Sequence, residues 1–202
     1  MQLVNSKTHY GVLPQTIHWL TFIFVVAGWL LGTFIDDFSR PVHAAMLVVH
    51  MALGQCVLAL LVIRLAWRLI DPPPPPEETR FGRMQQTAAT FIHYLLYALL
   101  LAIPCLGIIV QLTRGNALPI FGLWDIASPW PANRALARSV LKVHEYLADT
   151  LVALAGLHAA AALMHHWVLG DRTLVRMLPR QAGRELASMR PVTPLGDVSR
   201  TS

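Results

Sequence analysis

The stretch VLKVHEYLADTLVALAGLHAAAALMHHW, residues 140–167, decides how this chain folds. A helix needs roughly 20 apolar residues to cross a hydrocarbon core about 30 Å thick, and this stretch meets that length. Yet it carries His144 and His158 among alanines, leucines and valines. An ionisable side chain inside a membrane span is costly and by default marks function. Fourteen residues separate the two histidines. Fourteen helical steps rise about 21 Å and return to within about 40° of the starting direction, so both imidazoles face one way at two depths.

The rest of the chain agrees with a membrane setting. Of 202 residues, 55% are hydrophobic and 13% charged, a balance outside that of soluble domains. Three more apolar runs occupy residues 16–35, 43–70 and 87–112, before the one at 140–169. The runs lack the two-residue alternation of a barrel strand. A signal peptide would explain one run at most, and the first run has no small-residue cleavage site behind a short apolar core. We therefore expect an all-α integral membrane protein, a four-helix transmembrane bundle formed by residues 1–180, followed by a polar, flexible tail at 181–202. Cys56 and Cys105 lie inside apolar runs with no C-x-x-C-H sequence, so covalent haem attachment is not indicated.

Charge predicts orientation. Lys7, Arg64, Arg68, Arg80, Arg83 and the arginines from Arg172 onward fall on one side of four spans, against Arg40, Arg114, Arg134, Arg138 and Lys142 on the other. The excess places both termini in the cytoplasm. The net charge of +5 then reflects topology and contact with lipid headgroups, and calls for no nucleic-acid partner.

Nine histidines are present, and His18, His50, His93, His144 and His158 fall within apolar sequence. Any one of them alone reads as an imidazole bonded to a neighbouring carbonyl. Depth sorts them further. With the N-terminus inside, His50 and His144 lie near the outer ends of their helices, and His18 and His158 nearer the inner ends. Two imidazoles from different helices can hold an iron porphyrin axially inside a bundle, and filling both axial positions makes electron transfer the task. Gly54, one turn from His50, and Gly32 are positions where a porphyrin can lie against backbone, although helix packing explains small residues equally well. Zinc prefers tetrahedral sites and finds no cysteine or carboxylate partners at ligand spacing here. A proton path would rest on Glu145 and Asp149, and intramembrane carboxylates are otherwise scarce.

The segments QTIHWLTF around His18, VVHMALG around His50, LKVHEYLADT around His144, GLHAAAALMHHW around His158 and the closing DRTLVRMLPR resemble the bacterial cytochrome b561 proteins over roughly residues 10–180. The resemblance implies a multi-pass protein of the bacterial inner membrane with two non-covalent, bis-histidine haem b groups. Their ligands would be His18 with His158 and His50 with His144, the pairing that depth and orientation also favour. His93 is left as a structural residue. The family includes a superoxide oxidase that passes electrons from periplasmic superoxide to ubiquinone. On that reading Lys142 and Arg138 guide the anion or contact a haem carboxylate, His165 or His166 bonds a quinone carbonyl or supplies protons, and Trp19 walls the quinone. The alternative is a relay subunit that anchors a separate dehydrogenase, a redox partner protein, and passes its electrons to quinone.

Overall fold

The computed structural model describes residues 3–75, 82–179 and 186. The expected tail at 181–202 therefore lies outside the described residues, Leu186 excepted. Four helices carry the fold: α1 Val12–Phe34, α2 Arg40–Ile70, α3 Gly82–Thr113 and α4 Arg134–Met164. All four are long and apolar enough to cross a membrane. The chain is a multi-pass helical membrane protein. Each helix begins a few residues ahead of its apolar run, because a helix continues through the headgroup layer where polar side chains are wetted.

Local chemistry sets the ends. Asn133 caps α4 by accepting a hydrogen bond from the Leu136 N–H at 3.0 Å, satisfying one of the first-turn donors that a helix leaves open. A proline in the first turn of α2 occupies the place where its missing N–H costs nothing. At its far end α4 passes into a single π-helical turn, His165–Leu169, and stops at Gly170 in the left-handed conformation, φ 71°.

The helices pack mainly as neighbours in sequence, α1 on α2, α2 on α3 and α3 on α4, with a sparse seam between α1 and α4. Val57, Leu61, Leu99, Leu100, Ile103 and Leu151 form the buried centre. Large apolar side chains such as Phe22, Val62 and Leu157 face outward, which hydrocarbon surroundings favour and water would penalise. Lipid is thus the solvent of the outer surface. Across the α1–α4 seam the Trp29 indole N–H donates to Asp149 Oδ1 at 2.9 Å.

The two ends of the bundle differ. At the end where α1 begins and α4 finishes, the segment before α1, the α2 exit and residues 171–179 are tied together. Gln15 donates to the carbonyls of Tyr10, Arg176 and Leu178, Arg176 to those of Thr8 and Pro75, and Asn5 to those of Asp71 and Pro72. At the opposite end, β1 Leu118–Ile120 and β2 Trp124–Ile126 form an antiparallel hairpin. Gln55 of α2 clamps it, donating to Pro119 O at 2.7 Å and accepting from Phe121 N–H at 2.8 Å. Non-helical backbone next to a span must be satisfied by protein, and one glutamine side chain does so here. The hairpin is an addition to the all-helical expectation.

Candidate haem sites

His50 on α2 and His144 on α4 face each other across the bundle, ring centroids 6.1 Å apart and planes inclined at 71°. Each sits in the same kind of slot. The His50 Nδ1–H donates to Gly28 O at 2.8 Å, and a Cβ on Gly32 would come within 3.1 Å of His50 Cε1. The His144 Nδ1–H donates to Ile103 O at 2.9 Å, and a Cβ on Gly107 would come within 3.4 Å of His144 Cε1. In both, the imidazole lies over a glycine and bonds the carbonyl four residues earlier, in α1 for His50 and α3 for His144. A helix carbonyl has a second lone pair for this purpose.

The chemistry of the slot is specific. A carbonyl only accepts, so Nδ1 carries the proton and Nε2 keeps its lone pair. That is the state of a histidine about to bind a metal, with its second nitrogen anchored. Metal–imidazole bonds are about 2 Å long, so two rings sharing an ion have centres roughly 6 Å apart. The donor set and spacing fit a bis-histidine iron. Among the described residues no group of three or more His, Cys, Asp or Glu is placed to hold a metal ion. Beside the pair lies a mainly apolar cleft lined by Phe24, Gly54, Leu100, Pro104 and Leu118 as well as the two histidines.

Gly54 borders the cleft. Gly32 does not back onto the cleft, and its missing side chain makes room for the His50 ring. Gly28, Ile103 and Gly107 were not singled out from sequence. The Gly28-x-x-x-Gly32 spacing was visible, but ordinary helix packing reads the same way.

Nearer the termini the arrangement is different. His158 is in edge contact with His93 of α3, centroids 5.2 Å apart. His93, expected to be merely structural, therefore belongs to the same neighbourhood as His158. His18 of α1 accepts at Nδ1 from Arg64 Nη1 of α2 at 3.3 Å and meets Trp19 edge-on at 5.4 Å. The Trp19 N–H is committed to Met177 O at 3.0 Å.

Family comparison joins these observations at this point. The family model for prokaryotic cytochrome b561 matches residues 9–180. The chain belongs to that family. Membership implies haem b binding and makes the chain a membrane haem b oxidoreductase of electron transport. Among curated relatives, cytochrome b561 homolog 2 of Escherichia coli is 33% identical over 185 residues, covering 90% of this chain and 97% of that one. A probable superoxide oxidase of Yersinia pestis is 34% identical over 176 residues, covering 86% and 98%. A cytochrome b562 of Cereibacter sphaeroides is 27% identical over 181 residues, covering 87% and 98%.

The remaining sequence candidates are less open than expected. His165 is engaged at both ring nitrogens, Nδ1 by the Asp171 carboxylate and Nε2 by Gln85 Nε2 at 2.8 Å, which leaves neither for a quinone carbonyl as it stands. His166 is fully buried, and neither of its nitrogens has a hydrogen-bond partner among the described residues. Arg138 and Lys142 are exposed on α4, on the turns leading to His144.

Proposed function

We propose that this cytochrome b561 carries two haems, the first between His50 and His144 and the second between His18 and His158. It oxidises superoxide at the outer side and reduces ubiquinone toward the cytoplasmic side. The observation that carries the first haem site is the doubled slot, in which the His50 and His144 rings lie 6.1 Å apart with each Nδ1 anchored on backbone. The arginine excess at the termini end supports a cytoplasmic position for both termini.

Bound haem supplies a one-electron carrier at each pair. The chain's own groups do the rest. Gly28 O and Ile103 O fix the tautomer and ring direction of His50 and His144. Lys142 and Arg138, exposed above His144, offer positive potential that raises the encounter rate of a small anion. The overall change balances with two superoxide anions losing one electron each to become dioxygen, while one quinone takes two electrons and two protons to become quinol. At the termini end His165, held by Asp171, stands as the proton-exchanging group. Trp19 walls the quinone.

Support for superoxide as donor comes from the relative that bears that name, at 34% identity, and from the basic turns of α4. Stopped-flow mixing of the purified holoprotein with superoxide tests it. Rapid haem reduction, reversed by added ubiquinone, is expected. Haem that stays oxidised with superoxide yet reduces with a dehydrogenase partner would replace this reading by the relay subunit.

A further inference from the structure

Arg64 is a charged residue in an apolar helix. It lies on α2 six residues before the helix ends at Ile70, about 9 Å along the axis, within a candidate membrane span. Among the described residues no carboxylate pairs with it. Its guanidinium instead donates to His18 Nδ1 at 3.3 Å and lies over the Tyr97 ring, 5.4 Å from Cζ to centroid. Arg68, one turn on, reaches the Tyr97 hydroxyl at 3.3 Å. An uncompensated charge half-removed from water is expensive, and arginine's fork is shaped for two-point contact with a carboxylate.

The contact with His18 is also incompatible with iron binding there. A neutral imidazole has one lone-pair nitrogen, and in this arrangement Arg64 uses it. For His18 to offer Nε2 to a metal, Nδ1 must carry the proton, and a guanidinium has no acceptor to meet it. Arg64 must then release His18 and turn to another acceptor. His50 and His144 present the contrast, since carbonyls hold their Nδ1 atoms in the state ready to bind.

We infer that Arg64 is the counter-charge for a carboxylate of the porphyrin held by His18 and His158. This rests on the two-haem reading. Arg64 is a positioning residue and touches no reacting atom. A fixed positive charge beside a haem favours its reduced form, which carries one positive charge fewer.

The test uses purified holoprotein carrying Arg64→Gln, Arg64→Lys or, as a neighbouring control, Arg68→Gln. It reads haem content by pyridine haemochrome, midpoint potentials by spectroelectrochemical titration, and the propionate-bending band by resonance Raman. Arg64→Gln should make one haem about tenfold harder to reduce, about 59 mV lower for a one-electron couple, and should shift the propionate band. Arg64→Lys should stay near the parent, and Arg68→Gln should leave both potentials in place. If Arg64→Gln costs that haem altogether while Arg64→Lys keeps it, the charge requirement stands. Loss in both variants, or unchanged potentials and Raman band with both haems present, would overturn the inference. A parent protein with one haem per chain, or one that keeps two after His18→Ala, would overturn the two-haem reading itself.

Discussion

His50 and His144 are related by a shared device: each ring rests on a glycine and donates its Nδ1–H to the carbonyl four residues before that glycine. The pair is thereby aimed by backbone, which a substitution elsewhere moves little. Side-chain volume at the glycines is the sensitive variable.

Gly32→Val should therefore push the His50 ring out of its slot, since even a Cβ there meets Cε1 at 3.1 Å. One haem should be lost or become high-spin, and the other should keep its spectrum. Gly107→Ala, with 3.4 Å to His144 Cε1, should do less. Absorption and electron paramagnetic resonance spectra of the purified variants check both, and equal effects would contradict the slot geometry.

The Trp29–Asp149 bond predicts a coupling across the α1–α4 seam. Trp29→Phe removes the donor and leaves a carboxylate in the span without it, which should cost about 1–3 kcal/mol. Asp149→Leu in the same chain should recover most of that loss. A double-mutant cycle on unfolding in detergent measures it, and simple additivity would mean the bond contributes nothing.

Reversing Arg138 and Lys142 to glutamate should slow haem reduction by superoxide roughly tenfold at low salt. The defect should shrink as salt rises, because exposed charges are screened over about 10 Å at 0.1 M. A neutral reductant should react at the parent rate. Equal slowing of both reductants would point to a damaged haem environment.

Asp171 links the segment after α4 to pH. Burial pushes its carboxyl upward, but bonds from His165 and from Thr173 outweigh that and hold it below the ordinary 3.8. A depressed carboxylate contributes stability above its unfolded pKa and loses it as pH falls through the folded value. Asp171→Asn should thus lower the unfolding temperature at neutral pH. The gap from the parent should close below about pH 4.

Much of this was legible in the residues. Four apolar runs became four helices, because burying a backbone in lipid leaves almost no alternative to a helix. The spacing of His144 and His158 put both on one long helix, where His144 meets His50 and His158 meets His93. What escaped detection depends on neighbours. The ends at Arg40, Gly82 and Arg134 lie in polar sequence, which hydropathy does not distinguish from loop. His93 has no local signal that it meets His158, since that contact depends on the rotation of α3 against α4. The hairpin has two strands of three residues each, too short for a period. Gln55, which holds it, resembles any other polar residue in a helix.

One feature of the bundle bears on how the protein is made. His144 and His158 both sit on α4, the last of the four described spans to leave the ribosome. On the proposed ligation every iron site then waits for that helix, and no cofactor can be fully held while α1 to α3 enter the bilayer. Haem loading becomes a late event in biogenesis, and a chain truncated before α4 would be membrane-inserted and colourless.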